Sequence, residues 1–379
     1  MAASRPSEFA TISLKGSAVL DEFGPRLDEL FSACDVPITA RRPWLETWIG
    51  CYSDRTPLAV LLSDRERLHG AALLALGRRG LVTEITGLGH YMSDFARFAA
   101  RNDAAAGALA AATAQAVDRV RRPWDLRVEQ LPEGDPVVAA LARHLHRART
   151  VPGEGGPRLV FGAERALGSY LSGSARQNRR TALNRARTDG FPVSTQCIRD
   201  PSSIRLALPE MERVRRLRDV QLRGRSMLDH PQAGRFWRSI IPTLAASGEV
   251  EVVAVRFSDR LVAYVVGLLD RDSYRMWDTR FDPEFSRYSP GRLAEIASLE
   301  SALSDDRFTQ YDWMRGVEPY KLQTAREVVP SETLVALSSR AQATLADLRH
   351  SAGRFAHRHR VLNRARAAVR RRRSSRGGV

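Results

Sequence analysis

A carboxylate, a phenol and an ammonium stand close together at Glu318, Tyr320 and Lys321. Together they offer a base to take a proton, an acid to give one and a cation to steady a developing negative charge. On a turn, desolvation would raise the pKa of Glu318 toward that of a working base. Tyr320 would protonate the leaving group, and Lys321 would hold the oxyanion or a phosphate. The competing reading is an ion pair of Glu318 with Lys321 or Arg315 that pins the last strand. Lysine itself is informative here, because the chain has only Lys15 and Lys321 and otherwise writes its cations as arginine. A compact ammonium at 321 marks a place where a planar, permanently charged guanidinium would not serve. Asp278, beside Trp277, is the second carboxylate available as base, whereas Asp312 reads as an acceptor for backbone or arginine.

A second constellation is Ser289-Pro290-Gly291, flanked by Arg287 and Arg292. Serine can cap a helix, proline suits its first turn, and glycine lets a ligand or another backbone come close. A strand running into such a helix start aims unpaired amides and the positive end of the helix dipole at one spot, which is a cradle for phosphate. The plainer reading is a well-formed helix start.

The elements that must position these groups follow from periodicity. Residues 251–257, 261–269 and 274–281 read as three strands, the last ended by Asp282-Pro283. A helix runs from Ser289 to about Ser304, and a short strand from Gln310 to Met314. Earlier, residues 158–161 form a strand, 174–190 a basic helix carrying Arg176, Arg179, Arg180 and Arg187, and 191–198 a strand. Helices at 205–223 and 232–246 flank a loop with Arg225 and His230. The first part has helices at 17–33 and 43–52, strands at 57–62, 67–76 and 81–86, a helix at 102–121, a strand at 125–130 and a helix at 136–147. Residues 1–15 read as a polar lead, and GEGGP at 153–157 as a linker. Strands, long helix, strand, helix is thus an order used twice. The polar loop 87–95, with His90, Tyr91, Ser93 and Asp94, is read either as a self-bonded turn or as a lining of the cleft between the halves, Asp94 meeting the acceptor.

The run FDPEFSRYSPGRL followed by YDWMRGVEPYK resembles the second half of the CelD/BcsL-type, or BioF2-like, acetyltransferases of the GNAT superfamily. SARQNRRTALNRARTDG and RLRDVQLRGRSMLDHP resemble its opening basic helix and its next helix and loop. The likeness covers roughly residues 160–338; the paired halves and closing Tyr-Lys turn also resemble the Fem-type aminoacyl transferases. It implies an α/β (α+β) fold of two GNAT-like halves, each a mixed, mostly antiparallel sheet flanked by helices: residues 1–155, then an acyltransferase domain at 156–339, then a basic tail at 340–379. It implies acetyl-CoA or another acyl-CoA as co-substrate, with Arg287, Ser289, Pro290, Gly291 and Arg292 at its pyrophosphate. Backbone amides of 275–280 would polarise the carbonyl, while Asp94, Arg179, Arg223 and Trp277 would bind substrate. The acceptor would be an amine of a small molecule, a sugar or a cell-envelope or polysaccharide precursor. The phosphate loop departs from the usual pattern: Ser286 stands at its leading position and Ser289 where glycine is common. An aminoacyl-tRNA donor, and a non-catalytic protein binding an anionic partner, are the alternatives.

Composition sets the limits. The chain of 379 residues has 43% hydrophobic content, enough for two cored domains. No apolar run reaches the ~18 residues of a membrane span, and MAASRPSEF lacks the apolar core of a secretory signal. Three scattered cysteines, Cys34, Cys51 and Cys197, give neither a disulfide framework nor a metal site. A cytoplasmic protein is expected, peripheral at the inner membrane face if the tail binds lipid. The net charge of +16 is concentrated there: from Arg349 onward there are eleven arginines and no acidic residue. Such a segment suits polyanions, an acidic membrane surface or RNA, and its lack of aromatics after Phe355 argues against base-stacking recognition.

Overall fold

The computed structural model describes residues 9–338, so the Arg-rich tail and its expected membrane or RNA contacts lie outside the described residues. The first half comprises β1 (Ala10–Lys15), α1 (Ala18–Ala33), α2 (Arg42–Cys51), β2 (Thr56–Ser63), β3 (Leu68–Arg79), β4 (Val82–Gly87) and β5 (Ala99–Ala100). It continues with α3 (Asp103–Asp118), β6 (Trp124–Pro132), α4 (Pro136–His144) and β7 (Arg149–Pro152). The second half comprises β8 (Gly156–Val160), α5 (Gly173–Thr188), β9 (Val193–Ile198), α6 (Pro201–Arg223), α7 (Pro231–Ala246), β10 (Val250–Phe257), β11 (Arg260–Asp270) and β12 (Ser273–Phe281). After these come α8 (Pro290–Leu303), β13 (Gln310–Asp312), α9 (Pro319–Leu322), β14 (Glu327–Val329) and β15 (Ser331–Leu337).

The expected double use of one order is present in the topology. In each half a strand and a helix pair precede three antiparallel strands, and a helix then leads to a strand that pairs parallel with the third. β4 with β6 is that parallel pair in the first half, and β12 with β13 in the second. The sheets run β1-β2-β3-β4-β6-β15-β7, with β5 beside β3, and β14-β8-β13-β12-β11-β10-β9. β15 therefore leaves the second half and inserts between β6 and β7 of the first sheet.

Local sequence accounts for most element ends. Asn102, Asp135, Ser172 and Asp200 accept backbone N–H bonds at the starts of α3 to α6. α6 stops at Gly224, whose φ of 74° is the left-handed conformation that glycine adopts freely. β10 and β11 are buried almost throughout because they are apolar on both faces and both faces are covered. One face of each sheet carries its own helices, α3 and α4 on the first and α5 and α8 on the second. The facing sides share a single core in which α1 and α2 meet α6 and α7, with Trp44 edge-on to Phe236 at 5.2 Å.

Residues 10–15 correct the expectation of a polar lead: they form an edge strand on β2 whose burial is only partial, so polar residues mask it. The expected linker is shorter, since Gly156 and Pro157 already pair with β14. Because β15 is paired on both edges and Leu334 is wholly buried, Leu334→Ala should destabilise the protein by about 2–4 kcal/mol in urea unfolding.

Candidate active site

β12 and β13 pair at Ser273–Gln310, Tyr274–Tyr311 and Arg275–Asp312, and there β13 ends. β12 runs on to Phe281, still bonded to β11 but with no strand on its other edge. Its ladder with β11 slips between Val266 and Gly267, leaving Trp277 without a register partner. This bulge turns a residue and its amide out of the regular ladder. Gly267 is required opposite it, because a Cβ there would fall 2.2 Å from the Tyr274 hydroxyl.

The parting begins at a chain of buried charges. Arg275 donates to Asp312 and, at 2.7 Å, to Asp270, which also pairs with Arg41 of the first half. Asp312 further accepts from the Met314 amide at 2.7 Å, so its sequence reading as an acceptor holds. The loop 87–95 closes over this end: the Phe95 ring lies 5.1 Å from the Arg275 guanidinium, and Asp94 pairs with Arg315 Nε at 3.0 Å. Burial raises the Asp94 pKa to about 6, against the pull of Arg315 and Lys321 and with a push from Asp312.

The Glu318–Lys321 corner stands beside the same group. The buried Lys321 Nζ donates to the Arg315 carbonyl at 2.6 Å and to Glu318 Oε2 at 2.9 Å. Burial is the largest influence on the Glu318 pKa and works to raise it, but the hydrogen bond and charge of Lys321, with a backbone hydrogen bond, together lower it. The expected activation of Glu318 as a base is therefore corrected: its hydrogen bonds and the Lys321 charge together exceed the effect of burial. Arg315 does not pair with Glu318 but serves Asp94. Tyr320 is 37% exposed at the residue level; desolvation of its hydroxyl, then the charges of Glu295 and Glu318, raise its pKa and keep it a proton donor.

The start of α8 is close to this corner, since Arg292 Nη2 donates to Thr324 Oγ1 at 2.9 Å. Arg292 also pairs with Glu295 at 2.7 Å, and Glu295 accepts from the Trp313 indole. Arg292 is thus turned inward, contrary to its expected place on a pyrophosphate. Ser289 has a φ of 50° and makes no side-chain cap, so the expected serine cap is absent. Pro290 is buried, and Gly291 meets the Phe281 ring, where a Cβ would come within 2.9 Å. Arg287 and Ser289 face solvent, Arg287 paired with Asp189 at 2.8 Å.

Asp278 cannot serve as the reserve base. It is buried, pairs with Arg215 and Arg280, and accepts from Trp237 Nε1 and Tyr264 OH, each at 2.9 Å. Burial would raise its pKa, but the two guanidiniums hold it at about 2. Trp277 packs edge-on against Trp44 at 5.1 Å, joining the halves beside the bulge. Arg179 pairs with Glu300 at 3.2 Å and lines, with Arg176, Arg180 and Arg187, an open cavity of about 370 Å³ against residues 167–171. Arg223 lines a larger cavity between the halves. The structure thus gathers Asp94, Glu318, Tyr320 and Lys321, and sets Arg179 and Arg223 apart. Sequence reading missed Arg275, Arg292's partner Glu295, and the Arg215–Asp219 pair on α6. Only the i,i+4 spacing of Arg215 and Asp219 announced a pair.

Parted parallel strands, a bulge at the parting and a following helix are what a fold comparison can test. Residues 173–322 match the acetyltransferase (GNAT) domain family. The GNAT match spans α5 to α9, and so contains the parting, the α8 start and the Glu318–Lys321 corner. Among solved structures, FemX is similar with a TM-score of 0.57 at 10% identity, covering 84% of this chain and 97% of that one. The C-terminal domain of a candidate lysylphosphatidylglycerol synthetase from Agrobacterium fabrum gives 0.52 at 11%, covering 86% and 95%. L-PGS from Bacillus licheniformis gives 0.50 at 11%, covering 84% and 94%. At these identities the likeness is one of fold, over both halves. No curated protein sequence matches the chain. Among the described residues no helix is long and apolar enough to cross a membrane.

Asp278→Asn tests the role given to that carboxylate. It leaves Arg215 buried without its main counter-charge, so urea unfolding should show a loss of about 3–5 kcal/mol; unchanged stability would remove Asp278 from the scaffold.

Proposed function

We propose that the protein is an N-acyltransferase of the CelD/BcsL (BioF2-like) type, moving an acyl group from acyl-CoA to an amine of a sugar, small molecule or cell-envelope precursor. The observation that carries this reading is the parting of β12 and β13, with Asp94, Tyr320 and Lys321 around it. The free edge of β12 beyond Arg275 can bond an extended, amide-bearing arm. Solvent-facing Ser289 and Arg287 beside the start of α8 suit a diphosphate. The residues present therefore fit an acyl-CoA, with Arg292 in a supporting place behind them.

The amine nitrogen attacks the thioester carbonyl carbon. The bulged Trp277 amide and the Lys321 ammonium stabilise the oxyanion. Asp94, with a pKa of about 6, is ionised at neutral pH yet basic enough to take the proton from the nitrogen. As the C–S bond breaks, Tyr320, kept protonated by burial, gives its proton to the thiolate. Glu318 orients Lys321 across 2.9 Å. Catalysis then draws on both halves, which explains why the loop 87–95 is seated over the parting.

One feature favours a second donor, aminoacyl-tRNA in the manner of a Fem-type transferase: the four arginines along the cavity beside α5 suit a polyanionic backbone. Thiol release from acetyl-CoA in the presence of candidate amines separates the two. Release that depends on the amine supports the CoA donor; no release, with tRNA retained on a filter, supports the other. With the CoA donor, kcat/KM should rise with pH through an apparent pKa near 6, because the base works only when deprotonated. Asp94→Asn should remove that limb and lower the rate at least about 100-fold. Lys321→Ala should abolish transfer, and equal activity would take Lys321 out of the site.

A further inference from the structure

A cavity of about 730 Å³ lies between the two halves. Its first-half wall is the end of α2, with Trp48 and Tyr52 stacked at 4.8 Å, and the loop residues His90 and Tyr91, whose rings lie 3.9 Å apart. Tyr91 is 63% exposed and has a φ of 71°. A bulky side chain in the left-handed region is strained, and such strain persists where the surroundings impose it. The opposite wall is the α6–α7 connection, with Arg223 and Arg225 on either side of Gly224.

The charges of this cavity are unevenly matched. Asp229 is taken up by Arg216 and by the Ser226 amide, and Asp54 by Gln232, a bond that ties the two walls together. Arg55 is taken up by Glu84 at 3.1 Å. Arg223 and Arg225 alone among the cavity's arginines have no carboxylate partner among the described residues. Two unpaired guanidiniums lining a cavity with the exposed Tyr91 ring form a recognition surface for an anion attached to a ring.

The cavity is connected to the parting of β12 and β13 through neighbours of its lining residues. Met92 lines it, and Asp94 lies two residues further along the same loop. Trp48 lines it, and Trp44, one helical turn or about 6 Å away, packs on Trp277. Met227 lines it and takes a contact from Arg215, the partner of Asp278 next to the bulge.

We propose that this cavity is the acceptor subsite, and that the acceptor carries a phosphoryl group, held by Arg223 and Arg225, on a ring seated against Tyr91. The assignment rests on the acyl-transfer reading for the word acceptor, but the binding it asserts does not. A free phosphorylated aminosugar and a nucleoside-diphosphate sugar share this chemistry, and the probes separate them.

The test is calorimetric titration of the full chain with glucosamine 6-phosphate, UDP-glucosamine, unphosphorylated glucosamine and inorganic phosphate, without any acyl donor. Glucosamine 6-phosphate or UDP-glucosamine should bind at least tenfold more tightly than glucosamine, and whichever of the two binds more tightly identifies the source. The Arg223→Gln/Arg225→Gln double variant should lose at least tenfold in that affinity. Tyr91→Gly, which relieves the backbone strain, should weaken the ring-bearing probe while leaving inorganic phosphate unaffected. Equal affinity for glucosamine and its phosphorylated forms, or affinity unchanged in the double variant, overturns the proposal even if acyl transfer is then found. Binding with these losses but no transfer to any amine leaves the subsite standing and removes the transferase reading.

Discussion

The Arg275–Asp312 pair is the point on which the architecture turns. It is the last rung joining β12 to β13, with Asp312 buried and Arg275 partly so. A carboxylate taken out of water is costly unless a counter-charge and hydrogen bonds replace its hydration. Here Arg275 serves two carboxylates, Asp312 and Asp270, and Asp270 reaches Arg41 in the other half. Arg41 thereby adds a second counter-charge to the cluster from the first half. The same pair ends the ladder, so the opening beside β12 starts where the halves are locked.

Exchange of β15 has a related effect. The second half contributes a strand to the first sheet, and the first half contributes the loop 87–95 to the cleft of the second. With the shared core of α1, α2, α6 and α7, the two halves are unable to separate without exposing apolar surface and strand edges. A site assembled across such a junction is pre-positioned, which is what proximity in catalysis demands. The Asp278 network works alongside it: Arg215 from α6, Trp237 from α7 and Tyr264 from β11 converge on one carboxylate next to the bulge. That network fixes the helix pair on the strand that carries the site.

Much of the fold was legible because the patterns were strong. The alanine-rich α3, the apolar β10 and β11 and the repeated order of elements all followed from periodicity and caps. β1 escaped because it is an edge strand with polar residues, and β15 because its partner lies some two hundred positions earlier in the chain, at Gln130 and its neighbours. Of the site, the Glu318–Lys321 corner and its place near α8 were visible in the residues. The protonation states were not. Glu318 was expected to be raised and is lowered, since the bond and charge of Lys321 three positions away and a backbone hydrogen bond together offset burial. Asp94, read for acceptor binding, has its pKa raised by burial where the other half closes over it, with a push from Asp312 and against the pull of Arg315 and Lys321. Arg292 illustrates the same limit: its spacing from Ser289 suits a phosphate, but a buried Glu295 one turn on claims it.

The central claim is that the opening beside β12 receives the donor. Hydrogen–deuterium exchange of the full chain, with and without CoA, tests it most directly. The account predicts slowed exchange in peptides covering residues 276–292, from the free edge of β12 through the start of α8. Unchanged exchange over that stretch under saturating CoA, with protection found elsewhere or nowhere, would contradict it.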